Sequence, residues 1–220
     1  IVPTWRERLS ALQAWFRHSV RVEVPPAVAL GALGVWMLIA LIRLGILVRQ
    51  CAELHRLKAC RQPAHAALQG QFEALHRQLN IRREVRIGLG SGLRSPIAIG
   101  FLRPAILVPD SLAHSSPAEL NSLIRHELAH VQRHDDWTNL IQQGIKALLF
   151  LHPAVILLSQ RLTVDREIAC DDHVLANTRQ PRAYALFLTD FASRTRGRQW
   201  AAAPAAWSNP SQLRERIQMI

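Results

Sequence analysis

Cysteine is scarce in this chain: three in 220 residues, at 51, 60 and 170, an odd number with no CxxC pair. That argues against a disulfide scaffold and leaves reduced thiols as the default. Aromatic residues are also few, at 6%. Basic residues are not: 27 Lys and Arg face 16 Asp and Glu, for a net charge of +11. They are mostly Arg and are scattered, with no dense basic block and no aromatic–basic interleaving. Neither a zinc-finger spacing nor a helix-turn-helix pattern is evident. Only the net charge points to nucleic acid, and no nucleic-acid partner is expected. An anionic membrane surface or an acidic partner would account for the same charge. The length fits one large domain, or a small domain plus membrane segments.

The chain does have a long hydrophobic run. Ala27 to Val48 is apolar except for Arg43, enough to cross a hydrocarbon core of about 30 Å as a helix. Pro25-Pro26 gives it a sharp start. Gly31, Gly34 and Gly45 are tolerated in membrane helices and can form a packing face. Arg43 lies near the C-terminal end, where its head group can snorkel to the interface. A polar amphipathic stretch precedes the run and no small-residue cleavage site follows it, which disfavours a signal peptide. We therefore expect an amphipathic juxtamembrane segment over 1–24 and a transmembrane helix over 25–49, with the lipid bilayer as a partner. Arg49, Arg56, Lys58 and Arg61, with Arg43 leaning their way, slightly outweigh Arg6, Arg8, Arg17 and Arg21. The positive-inside rule then puts the rest of the chain in the cytoplasm. The chain opens at Ile1 rather than Met, and we expect it to be a fragment of a longer protein.

The most informative stretch is His126-Glu127-Leu128-Ala129-His130, an HExxH pattern. Positions four apart share one helix face, so His126 and His130 can point two imidazoles at one metal. Glu127, beside the first His, can act as general base on the water such a metal activates. The flanks predict a helix. Ser116-Pro117-Ala118-Glu119 resembles a capping box with Pro at the first helical position. Leu120, Leu123, Ile124, Leu128 and Val131 then recur at helical spacing. The helix is expected over about 117–150.

Gln50 to Leu79 reads as one or two polar helices broken near Pro63. Within Glu84 to Pro109, short apolar runs bounded by Gly and Pro predict a meander of about three strands, with Gly100 to Pro104 as the last turn. An exposed edge strand of such a sheet can pair with a substrate backbone in extended conformation. Leu140 to Leu158 is apolar, but Gln142, Gln143, Lys146 and His152-Pro153 interrupt it. A partly buried hairpin is favoured there over a second membrane span.

A catalytic zinc needs a third protein ligand. A second helix, expected over about 153–176, carries Glu167 and Asp171 on one face. Glu167 is a candidate ligand. Asp171 is a candidate acceptor that fixes the tautomer of a liganding His. His134, His152 and His173 are the alternative third ligands. Cys170 reads as packing, and His18, His55, His65, His76 and His114 as incidental. His173 and Tyr184 are candidate donors to a tetrahedral oxyanion.

Several motifs in order carry a resemblance. Ser95-Pro96, Gly100 to Pro109, Arg125 to Asp135, His152-Pro153 and Arg166 to Asp172 together resemble the membrane metallopeptidase domain of the BlaR/MecR antirepressor family. Arg214 to Met219 resembles its closing segment. The resemblance implies an α+β fold: a mainly helical, membrane-anchored, gluzincin-like domain with a small β-sheet before the HExxH helix. It implies one catalytic Zn2+ held by His126, His130 and Glu167, with Glu127 as base and Asp171 supporting a ligand. It implies a metallopeptidase domain over 50–180 and a C-terminal helical segment over 181–220. The expected site faces the cytoplasm from the bacterial inner membrane. Its expected substrate is an extended protein segment, such as a transcriptional repressor or the protein itself. In the best-known members a β-lactam acylates an extracellular sensor domain; no SxxK pair occurs in these residues, so no such sensor is visible here. One alternative is a quality-control membrane protease of the HtpX or CAAX-processing type, for which longer hydrophobic segments than Leu140 to Leu158 are expected. The other is a non-catalytic zinc-binding signalling protein, against which Glu127 argues.

Overall fold

The computed structural model describes residues 24–93, 95–112, 116–195 and 210–220. The amphipathic stretch expected over 1–24, apart from Val24, lies outside the described residues, as do His18, His114 and residues 196–209. The chain forms two compact units, Ile1–Ile39 and Ala40–Ile220. The described part of the first is Val24, Pro25 and the start of helix α1, Pro26–Ala59. Helix α1 continues ten residues past the expected end of the membrane segment. Its apolar stretch is long enough to cross a bilayer, and almost none of it is buried within the protein. A core helix of a soluble domain would be covered.

The second unit is mainly helical with one small sheet. After α1 come β1 (Gln62–Pro63), α2 (Ala66–Gln78), β2 (Arg86–Gly90), β3 (Ile97–Ile99) and β4 (Ala105–Pro109). Helices α3 (Pro117–Gln132), α4 (Asp135–Leu148), α5 (Pro153–Thr178), α6 (Pro181–Thr195) and α7 (Pro210–Met219) follow.

The sheet is not a meander. Its order is β1-β2-β4-β3, with β2 parallel to β4 and the other pairs antiparallel. All five residues of β4 are buried, as a continuous apolar run covered on both faces should be. One face packs Ile106 and Val108 against Phe72 and Leu75 of α2 and Leu120, Ile124 and Leu128 of α3. The other packs Ile97, Ile99 and Leu107 against Leu54 and Leu57 of α1. Gly100, at φ +104°, makes the turn that folds β3 back along β4. At Gly88 an added Cβ would lie 2.9 Å from the Gln62 carbonyl, so glycine admits β1 to the sheet edge.

Helix α3 starts as its sequence predicts. The Ser116 hydroxyl accepts a hydrogen bond from the Glu119 N–H at 3.3 Å, and Pro117 occupies the first turn. It ends earlier than expected. His134 takes a left-handed conformation, φ +59°, and splits the predicted 117–150 helix into α3 and α4. Arg83 secures the break by donating to the Val131 carbonyl and pairing with Asp136.

Residues 140–158 likewise form no single helix: α4 stops at Leu148 and α5 starts at Pro153. The resulting hairpin is polar inside. Gln142 donates to the Ser159 carbonyl at 2.8 Å and accepts from Arg166 at 2.7 Å. Ile141, Ile145, Leu148, Leu157 and Leu158 face outward, and Leu151 at the tip is 74% exposed. This inverts the usual amphipathic arrangement of a helix pair in water.

Candidate metal centre

Helix α3 turns His126, Glu127 and His130 toward α5, which crosses it. The buried face of α5 repeats at helical spacing through Val164, Glu167, Cys170, Asp171 and Val174. The crossing brings the Glu167 carboxylate within 3.3 Å of His126 Nε2 and 3.7 Å of His130 Nε2. One ligand atom from each of His126, His130 and Glu167 lies within 4.8 Å of the others. Two imidazole nitrogens and one carboxylate oxygen match the donor set of a catalytic zinc, which keeps a fourth position open. The chemistry of the site therefore fits that ion.

Each imidazole is also held from behind. His126 Nδ1 lies 3.2 Å from Asp171 Oδ1, and His130 Nδ1 lies 2.8 Å from Asp135 Oδ2. A carboxylate at Nδ1 fixes the tautomer that leaves Nε2 free to ligate. Asp171 is itself bonded by the Tyr184 hydroxyl at 2.8 Å and by Arg216 Nε and Nη2 at 2.7 and 2.8 Å.

The electrostatics follow from burial and pairing. Burial opposes the charged form of His126, but hydrogen bonds to Asp171 and Glu167 outweigh it and raise its pKa to about 9. Burial also opposes the Glu167 carboxylate, yet His126, His130 and Arg216 hold its pKa down to about 2. Asp171 is likewise kept ionised against burial by His126 and Arg216. Glu127 differs. Burial pushes its pKa up, against the neighbouring imidazoles and a backbone hydrogen bond from Ala98, toward the range a general base needs.

Glu127, His130 and Glu167 open onto a cavity of about 690 Å³. Strand β3 forms part of its wall. As an edge strand, β3 has one side free of sheet pairing.

Not every sequence candidate reaches this place. His134 is an exposed residue at the helix break, and His152 is exposed at the start of α5. Neither joins the cluster of ligand atoms among the described residues. Tyr184 is buried behind His126, with its hydroxyl donated to Asp171 rather than turned to the cavity. His173 is half-buried, and burial and the charges of Arg125 and Arg133 lower its pKa. Among the described residues lining the cavity, neither His173 nor Tyr184 occurs; both expected oxyanion donors sit elsewhere.

Cys170 offers a second grouping with His130 and Asp135. Its sulfur lies 3.2 Å from His130 Nδ1. Burial, with the Glu167 and Asp135 carboxylates, pushes its thiol pKa far up, so it packs as a neutral thiol.

Sequence reasoning missed two residues. Asp135 closes the HELAHVQRHD stretch, but its partner became visible only with the turn at His134. Arg216 carried no signal beyond its place in the closing segment.

The chain is 29% identical to Regulatory protein BlaR1 of Bacillus licheniformis over 104 residues, covering 47% of this chain and 17% of that protein. It is 26% identical to the Methicillin resistance mecR1 protein of Staphylococcus aureus over 95 residues, covering 43% of this chain and 16% of that protein. The mecR1 protein of Staphylococcus epidermidis matches to the same extent. The chain thus spans about a sixth of these relatives' length. The description of the BlaR1 peptidase M56 family matches residues 6–220, and the chain belongs to that peptidase family.

Proposed function

We propose that this chain is the catalytic part of a membrane-bound zinc endopeptidase that acts in signalling. The observation that carries this reading is the convergence of His126, His130 and Glu167, with Glu127 buried beside them on the wall of a cavity. Zinc, when bound, supplies a Lewis acid that polarises the scissile carbonyl and acidifies the attacking water. His126 and His130 present Nε2, and Glu167 a carboxylate oxygen, as its ligands. Asp171 and Asp135 hold the two imidazoles in register. Glu127 takes the proton of the attacking water and passes it to the leaving amine. The free edge of β3 receives the substrate as an added strand, so the substrate is a protein segment in extended conformation.

The relatives' names, a regulatory protein and two methicillin resistance proteins, favour a regulatory target. We assign the substrate to a cytoplasmic protein such as a transcriptional repressor, or to the protein itself. The site then faces the cytoplasm from the inner membrane, as the basic residues after the apolar run suggest. The hairpin of α4 and α5 meets the same bilayer. The Arg43 guanidinium lies 5.0 Å over the Phe150 ring at the hairpin tip, so the apolar tip and the interfacial end of the membrane run share one depth.

The testing experiment is Glu127→Gln in the full chain. It keeps one zinc per chain and loses cleavage of a labelled casein. Proteolysis at the wild-type rate would remove Glu127 from the mechanism.

A further inference from the structure

We propose that Arg216 is a positioning residue of the metal site, reaching from the closing helix α7 to clamp both carboxylates that flank His126. The inference rests on the zinc reading above. Arg216 is 0% exposed. Its Nε and Nη2 form a two-pronged pair with Asp171 at 2.7 and 2.8 Å, and its Nη1 lies 3.4 Å from Glu167 Oε2. One guanidinium thus touches the carboxylate in front of His126 Nε2 and the carboxylate behind its Nδ1.

Burying a guanidinium is costly unless its charge is paired: Asp171 takes two of its donors, and Nη1 makes a charge contact with Glu167. Without it, Glu167 and Asp171 would flank His126 as two buried carboxylates with no guanidinium to fix their separation. Glu167 would be free to turn, and Asp171 would keep Tyr184 as its other donor. Lysine has the charge but not the fork, so it cannot hold both groups at once. The docking of α7 has separate supports: Leu213 and Ile220 pack on the α3–α5–α6 core, and Glu215 pairs with Arg161 at the surface. Docking and clamping are therefore separable by mutation.

The test measures zinc affinity of the full-length chain by competition with a chromogenic chelator, beside thermal melting of the metal-stripped protein. The wild type binds one zinc. Arg216→Gln binds it about 10–100-fold more weakly, the usual cost of losing an outer partner of a ligand. Glu215→Gln, which loosens the surface tether alone, binds within about twofold of wild type. Arg216→Lys, which keeps the buried charge and stem, decides the matter where Arg216→Gln fails to fold; it too binds at least about tenfold more weakly. Wild-type affinity in Arg216→Lys overturns the clamp. Equal losses in Arg216→Gln and Glu215→Gln also overturn it, since docking of α7 would then be the whole effect. A wild type that binds no zinc overturns the metal reading and the clamp with it. A zinc-binding wild type with an unaffected Arg216→Lys overturns the clamp alone.

Discussion

Asp135 and His130 face each other across a helix break: Asp135 Oδ2 lies 2.8 Å from His130 Nδ1, although one residue begins α4 and the other lies in α3. The left-handed His134 produces the contact by turning the chain back under the last turn of α3. Each imidazole of the candidate site therefore has its own carboxylate, one from the next residues in sequence and one from α5. Asp135→Ala is expected to weaken zinc binding about 10–100-fold, and Asp135→Asn, which keeps an acceptor oxygen, less. Chelator competition checks it. Equal affinity in wild type and Asp135→Ala would show that the contact does not support the ligand.

His134 tests the ligand set from the other side. It is exposed and adopts φ +59°, a region that costs a residue with a Cβ roughly 1 kcal/mol. His134→Gly is expected to leave zinc affinity unchanged and to raise stability by up to about 1 kcal/mol, offset in part by the entropy glycine adds to the unfolded chain. A large loss of zinc in this variant would restore His134 as a ligand.

The metal-stripped protein has a predictable alkaline response. Burial disfavours the His126 imidazolium, but Asp171 and Glu167 raise its pKa to about 9, against about 6.5 when unfolded. A raised folded pKa means that the stabilisation is fully present below about pH 6.5 and is lost as pH rises through about 9. The melting temperature of the metal-stripped protein should fall across that window. Glu167, lowered to about 2, acts at the other end: its contribution is present above about pH 4.5 and is lost as pH falls through about 2. Zinc affinity should rise with pH, because zinc binds the neutral imidazole and displaces the proton. A melting temperature that climbs from pH 6.5 to 9 would contradict this account of His126.

The hairpin tip gives a membrane prediction. With Cys51 and Cys60 replaced by Ser and Cys170 left buried, an environment-sensitive dye is attached at Leu151→Cys. In vesicles carrying brominated acyl chains the dye should be quenched. The same dye at Ala74→Cys, an exposed site on α2, should not be. Quenching that is alike at the two positions would put the tip in water.

Core packing under the site should show in stability. Leu128 lies between the two histidines in sequence, but on the face of α3 buried against the sheet and α2. Leu128→Ala should cost about 2–5 kcal/mol in denaturant unfolding, from lost burial plus the cavity left behind. A cost below about 1 kcal/mol would mean that the site collapses around the gap.

Much of this protein is written locally. The period of the α-helix puts His126 and His130 on one face, and Glu167 with Asp171 on another, whatever the rest of the chain does. Ser116 and Pro117 mark the start of α3 because capping involves only neighbouring residues. The apolar run from Ala27 to Val48 reads directly as a candidate span. Local pattern failed where the answer depended on a turn or a pairing. The helical periodicity of 117–150 continues through His134, so it concealed the break that brings Asp135 to His130. The strand runs were visible, but their order was not, because a parallel β2–β4 pair with β3 outside it depends on which edges meet.

The sequence by itself determined the chemistry on offer: two histidines, a neighbouring glutamate, a second acidic helix and an apolar segment, each specified by spacing along the chain. Only the tertiary structure decided how these are held. Arg216 meets Asp171 from 45 positions away, and α3 and α5 cross so that Glu167 reaches both histidines. No periodicity encodes such contacts. They arise from buried faces that must pack together, and from buried charges that are stable only where their partners already stand.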